Sequence, residues 1–166
     1  MLLFQPEHVL PILRGDKTQT RREWPRGPRV KVGALHQCRL RMLRKDTTFA
    51  VVLVTGLRRE RLCEITDEDA RREGYESRAA YFEVYGRIYS DVQQHDPRLV
   101  YVVDFKAVKV PCFSCEASKV VCLPGGKPEP CWLCDDDGFV DLTDRYRIGA
   151  VERWRRSTML PLGVYR

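Results

Sequence analysis
The chain has 166 residues, of which 43% are hydrophobic and 31% charged, with a net charge of +6. That size and balance fit one soluble globular domain, with or without a small appendage, whose core needs no staples. No apolar run nears the ~20 residues that a bilayer-crossing helix requires, and Met1 to Leu10, with Glu7 and no basic start or small-residue cleavage site, does not read as a secretory signal.

A reducing, cytoplasmic setting is therefore expected, in which the seven cysteines act as metal ligands or buried thiols rather than as disulfides. Positive charge is concentrated in two places: residues 14–31 hold seven Lys or Arg against two acids, and residues 145–166 hold six against one. Two such patches can frame one anionic ligand. Nucleic acid is their natural partner, because neutralised phosphates release condensed counterions without any sequence match. A solvated basic face is the plain alternative.

In chain order, Pro6 to Arg14 reads as a short helix, with Pro6 suited to its first position and Val9, Ile12 and Leu13 on one face. Pro11 removes a helical hydrogen bond, so the helix either bends there or starts later than Pro6. Gly15 can take the left-handed conformation that ends a helix. It is followed by Lys17, Thr18, Thr20, Arg21 and Arg22, which gather cationic donors, a candidate base and a candidate hydroxyl nucleophile. Lys17 and Thr20 are three residues apart, so their side chains converge in a bend and diverge in a flat strand. Chemistry by this pair requires a bend, whereas a solvated turn touching phosphates does not. Trp24 to Pro28 has the proline and glycine content of a loop, and Trp24 is a candidate either for base stacking or for core packing.

His36 to Met42 and Phe49 to Leu57 read as two strands paired through the polar turn at 44–47, and Val100 to Phe105 as another. Thr66 is a good helix N-cap, with Asp67, Glu68 and Asp69 at the positive end of the helix dipole and Gly74 as the stop. A second helix starts at Ser77, and its stripe of Tyr81, Phe82, Tyr85, Ile88 and Tyr89 is read as core. Short strands with intervening turns fit a small barrel. The histidines His8, His36 and His95 stand in no catalytic spacing, and Cys38 and Cys63 read as small buried apolar residues.

Five cysteines fall together: Cys112-x2-Cys115, then Cys122, then Cys131-x2-Cys134, with fifteen residues between the two pairs. Two such knuckles present four thiolates to zinc, and four ligands with no open position make the metal structural. Free thiols or an iron–sulfur centre are the alternatives, and Cys122 is a possible replacement ligand.

Three blocks in order, Gly15-Asp16-Lys17-Thr18-Gln19-Thr20-Arg21-Arg22, Ile65 to Gly74 and Val100 to Phe105, resemble the ASCH domain family. The resemblance covers roughly the first two thirds of the chain. It implies an α+β fold with a small PUA-like β-barrel and flanking helices at 1–110, to which residues 111–140 add a zinc-ribbon-like module. Residues 141–166 form a basic segment expected to pack back on the barrel. The family is linked to RNA binding, and some compact members remove the acetyl group from N4-acetylcytidine. On that likeness Lys17 matches a general base, Thr20 a nucleophile and Glu73 an acid, and Arg22 matches the arginine that closes the motif. The basic turn itself, with Arg14, Gly15, Lys17, Arg21, Arg22 and Trp24, is the candidate RNA- or nucleoside-binding cleft.

A threonine hydroxyl becomes nucleophilic only when a neighbour takes its proton, and a lysine does so only when burial or nearby positive charge lowers its pKa. Arg14, Arg21 and Arg22 would supply such a field. Two main readings follow: an RNA- or modified-nucleoside-binding module, favoured here, and an amidohydrolase. A zinc-stabilised interaction adaptor is a third. No acidic cluster accompanies the motif to hold magnesium, which argues against a metal-dependent nuclease.

Overall fold
The computed structural model describes residues 1–44, 47–89, 94–111, 120–121, 129–130, 134 and 139–142. They belong to two units, one made of Met1–Phe4, Gln37–Val52 and Ala107–Arg166, the other of Gln5–His36 and Leu53–Lys106. In chain order the elements are β1 (Leu2–Leu3), α1 (Val9–Arg14, after a 3-10 turn at Pro6–His8), β2 (Gln19–Arg22), β3 (Leu35–Arg39), β4 (Thr48–Arg61), α2 (Asp67–Arg72), α3 (Arg78–Ile88), β5 (Leu99–Pro111), β6 (Val120–Val121), β7 (Glu129–Pro130) and β8 (Phe139–Asp141). Six strands hydrogen-bond in the open order β1-β3-β4-β5-β2, with β8 also on β5, and β6 and β7 pair separately. The expected α+β class holds, whereas a closed barrel is not seen among the described residues.

In the first unit, β1 runs parallel to β3 with Leu2 opposite Cys38, and the end of β5 runs antiparallel to β8 with Lys109 opposite Asp141. Phe4 meets Phe49 edge to face at 6.2 Å. Leu2, Cys38, Val52, Val110 and Val140 are also buried there. Cys134 is buried as well, while Cys112, Cys115, Cys122 and Cys131 lie outside the described residues, as do most of the ribbon-like module and residues 143–166.

The second unit owes its shape to two helices that stop at glycines. In α1 the Pro11 conflict is resolved by a late start: Pro6–His8 is a tight 3-10 turn, so Pro11 falls in the opening turn of Val9–Arg14, where a missing amide costs nothing. Gly15 takes φ 84°, and the Gly15 and Asp16 amides bond back to Ile12 and Pro11. Helix α2 starts at the Thr66 cap, whose hydroxyl accepts from the Asp69 amide, and ends in the same way. Gly74 takes φ 87°, its amide reaches the Arg71 carbonyl, and that of Tyr75 reaches Ala70. Both stops follow the Schellman pattern, in which a left-handed residue lets the chain satisfy the last carbonyls while it turns away. Helix α3 lays Tyr81, Phe82 and Tyr85 on Leu62, Ile65, Ala70 and Val100. Ile88 and Tyr89, counted with that stripe in the sequence, are 49% and 36% exposed and stand outside the core because the helix ends there. Cys63 is only half-buried.

Candidate functional site
The two helix stops bring together the blocks that sequence keeps far apart. After Gly15 the chain turns through Lys17, whose amide bonds to Pro11. The Thr18 amide then bonds to the Arg72 carbonyl at 2.9 Å and ties this turn to the end of α2. Lys17 lies against Gly74 so closely that an added Cβ there would stand 3.6 Å from the lysine Cδ. Its ammonium donates to the Glu73 carbonyl and, at 3.2 Å, to Glu73 Oε2. Both residues are buried, at 2% and 4% exposure.

From Gln19 the chain is extended, not bent. Strand β2 runs antiparallel to β5 with Gln19 opposite Asp104, Thr20 opposite Val103, Arg21 opposite Val102 and Arg22 opposite Tyr101. Alternation then gives the strand two faces. On one, Gln19 Nε2 donates to Asp104 Oδ1 at 2.9 Å, and Arg21 Nη1 donates to Gln19 Oε1 at 2.7 Å and to Glu73 Oε1 at 3.1 Å. Thr20 and Arg22 belong to the other. The expected bend therefore occurs ahead of the strand, so Lys17 precedes β2 while Thr20, 4% exposed, sits within it.

Arg21 is the centre of an ionic cluster that composition does not reveal. Its guanidinium also contacts Glu60 and, at 3.4 Å, Asp69 Oδ2, so one cation meets carboxylates from β4 and from both ends of α2. Around it, Arg58 bonds Glu60 Oε2 at 3.0 Å and Asp104 Oδ2 at 2.8 Å, and Arg72 bonds Asp104 Oδ1 at 2.6 Å. Burial works against the Arg21 charge, but Glu73 and Glu60 outweigh it and leave its pKa raised. Arg21 is thus a permanently charged anchor, already engaged inside the protein.

Lys17 has the opposite balance. Burial is the strongest influence and holds its pKa below the usual lysine range, opposed by Glu73 and reinforced by Arg22 and Arg21. Two of the three arginines named from the sequence thus act on it. Tyr75 covers the ammonium, 5.8 Å from the ring centroid, and its hydroxyl lies 3.3 Å from His8 Nε2. Burial, with Lys17 and Arg22 nearby, pushes the His8 pKa down to about 3. Tyr75 is pushed up to about 12, by burial first and then by Glu73. His8 and Tyr75 are site residues that spacing alone did not reveal; both become visible only once α1 and the end of α2 are seen to meet.

Of the remaining binding candidates, Arg14 and Gly15 are exposed at the helix stop, and Arg22 is half-buried. Trp24 stacks at a tilt on Tyr101, with 5.8 Å between centroids, and Arg59 lies over that ring at 5.7 Å. Among the described residues no three His, Cys, Asp or Glu side chains gather to hold a metal, and no helix is long and apolar enough to cross a membrane. Cys134 alone of the four expected zinc ligands is described.

No protein-family model and no curated protein matches the chain. Among solved structures it is similar to an ASCH domain from Lactobacillus crispatus, at 17% identity and a TM-score of 0.49 over 60% of this chain and 69% of that one. It is also similar to a protein of Enterococcus faecalis, at 14% and 0.45 over 64% and 74%, and to ASCH from Zymomonas mobilis, at 11% and 0.41 over 92% of each. Likeness at this level assigns no role to any residue, and the site rests on its own geometry.

Proposed function
We propose that the protein is an ASCH-like amidohydrolase acting on an acylated nucleoside of the N4-acetylcytidine type. The observation that carries this reading is the Lys17–Glu73 contact: a buried lysine whose proton affinity is lowered by burial and whose counter-charge is one carboxylate 3.2 Å away. Such a pair holds a proton that can be given up and taken back, which is what a base in amide hydrolysis must do. In the proposed sequence, Lys17 first passes one ammonium proton to Glu73. Thr20 Oγ then attacks the acetyl carbonyl while the neutral Lys17 amine takes the hydroxyl proton through an intervening water, because alternation along β2 turns Thr20 away from the Arg21 face. The C–N bond breaks, that proton passes to the departing amine, and cytidine leaves. Water then attacks the acetyl-threonine ester, acetate is released, and the threonine hydroxyl is restored. Glu73 orients Lys17 and stabilises its charged form, while Arg21 fixes Glu73.

The binding reading keeps support from a different set of residues. Lys17 and Arg21 are engaged internally, whereas Arg14, Arg26, Arg29 and Lys31 are exposed, as cations must be to meet phosphates. We infer that these contact RNA or the phosphate of a nucleotide, with the acylated base held nearer Lys17. A structural zinc on Cys112, Cys115, Cys131 and Cys134, in a module spanning 111–140 between domain 1–110 and the basic segment 141–166, belongs to the same proposal, as does a cytoplasmic location.

The test is incubation of the purified protein with free N4-acetylcytidine, following cytidine by chromatography, with Lys17→Ala and Thr20→Ala in parallel. Release by the wild type alone supports the reading. Equal release by both variants removes these residues from it, and no release by any of them refutes hydrolysis of the free nucleoside.

A further inference from the structure
A polar atom beside the Glu73–Arg21 contact is left over by the fold. Tyr81, on the first turn of α3, is 3% exposed, and among the described residues its hydroxyl has no hydrogen-bond partner. The ring is held firmly: Tyr75 and Phe82 meet it edge to face at 5.4 and 5.5 Å, and Tyr85 stacks at a tilt at 5.4 Å. Arg21 Cζ lies 6.0 Å from the ring centroid. After burial, the Glu73 charge is the strongest influence opposing loss of the phenol proton, so the hydroxyl stays neutral and lies within the field of that carboxylate.

A buried hydroxyl with no partner costs about 1–3 kcal/mol, which proteins rarely carry without a use for it. Phenylalanine would fill the same volume at no such cost. Glu73 is occupied by Lys17 and Arg21, and Arg21 by its carboxylates, whereas the Tyr81 hydroxyl still has its hydrogen to give.

We propose that the Tyr81 hydroxyl is a substrate-binding group that donates a hydrogen bond to a carbonyl oxygen of the acylated base, completing its own bonding only when ligand is present. This inference rests on the proposed hydrolase. It adds a donor that selects for a carbonyl on the bound molecule, because a neutral phenol deep in the protein repels neither charge nor ring but rewards an acceptor.

The experiment compares wild type and Tyr81→Phe in kcat/KM for N4-acetylcytidine and in melting temperature. The proposal expects kcat/KM to fall about two- to thirteen-fold, as for loss of one neutral hydrogen bond. The melting temperature should rise by about 2–12 °C, because the variant no longer buries an orphan hydroxyl. Unchanged kcat/KM with a raised melting temperature overturns it, leaving the hydroxyl an unused core atom. Unchanged kcat/KM with a lowered melting temperature overturns it too, and assigns the hydroxyl to an internal water that supports the fold. Absence of turnover in the wild type, checked by titration with N4-acetylcytidine that detects no binding, refutes the hydrolase and this inference together. Turnover in the wild type with no loss in Tyr81→Phe refutes this inference alone.

Discussion

Replacing Glu73 by glutamine keeps the shape of the side chain and removes one charge from between Lys17 and Arg21. At 3.2 Å and an effective dielectric of about 20, the Lys17–Glu73 attraction is about 5 kcal/mol before desolvation is subtracted. Arg21 keeps Glu60 and Asp69 in the variant, but both of the hydrogen-bond acceptors of Lys17 lie on Glu73, and the variant would offer it only neutral oxygens, the backbone carbonyl and the side-chain amide. Breaking a buried pair from one side leaves an uncompensated charge, so Glu73→Gln should cost about 3–5 kcal/mol in urea unfolding at pH 7. The sign of the pH effect follows from the lysine. Its folded pKa already lies below the unfolded value, and without Glu73 it falls further, so the variant sheds the Lys17 proton at a lower pH than the wild type. Across the interval between those two folded values the unfolded variant binds the extra proton, its stability climbs with pH, and the deficit against the wild type shrinks. Unfolding curves at pH 6 and pH 9 test this, with the Lys17→Met/Glu73→Gln double variant expected to recover part of the loss. A cost under about 1 kcal/mol that does not change with pH would refute the reasoning, because that is how a solvent-exposed pair behaves.

His8 makes acid sensitivity a second signature. Its pKa falls from 6.5 to about 3, so its contribution to stability is complete above pH 6.5 and is lost as pH drops toward 3, at up to about 1.4 kcal/mol per pH unit. His8→Asn should flatten the stability curve between pH 6.5 and 4, and an unchanged slope would remove His8 as the cause. Gly56→Ala should destabilise by about 1–3 kcal/mol, since the new Cβ would lie 2.7 Å from Asp104 Oδ2, an oxygen that Arg58 holds at 2.8 Å; a neutral effect by thermal melting would mean that Asp104 moves freely. Elemental analysis should find about one zinc per chain, and Cys112→Ser with Cys115→Ser should abolish it; zinc retained in that variant would rule out the four-cysteine set. Neutralising Arg26, Arg29 and Lys31 together should lower the salt dependence of RNA binding by up to about three phosphate contacts while leaving nucleoside turnover unchanged, and loss of turnover would merge the two surfaces that the proposal keeps apart.

What could be read from the sequence was local. Thr66 with Asp69, Ser77 before α3 and Gly15 after α1 announce their helix ends because a cap or a left-handed glycine acts within a few residues. Strand β2 could not be read that way. Gln-Thr-Arg-Arg has neither apolar alternation nor β-branched enrichment, and it becomes a strand because β5 supplies its backbone partners while Asp104, Glu60, Asp69 and Glu73 satisfy its polar face. A polar strand of this kind is fixed by tertiary contacts, which outweigh propensity in sheets. Lys17 and Glu73 were found together only through the family resemblance; no periodicity links residues 56 apart in the chain.

The same reasoning changes the meaning of the basic segment. Counted along the chain, residues 14–31 form one cationic stretch, and one phosphate-binding surface is the natural inference from that count. In the fold the stretch is divided by burial. Lys17 and Arg21 face carboxylates inside the protein, and Arg14, Arg26, Arg29 and Lys31 face water. A buried cation held by carboxylates is a poor phosphate ligand, because an incoming anion must displace partners already in contact. An exposed cation is a poor base, since solvent keeps it protonated at neutral pH. Each set is therefore suited to the task that the other cannot do. On the proposed function, one short segment would combine attraction of an anionic partner with chemistry on a neutral base, because Gly15 turns the chain between Arg14 and Lys17.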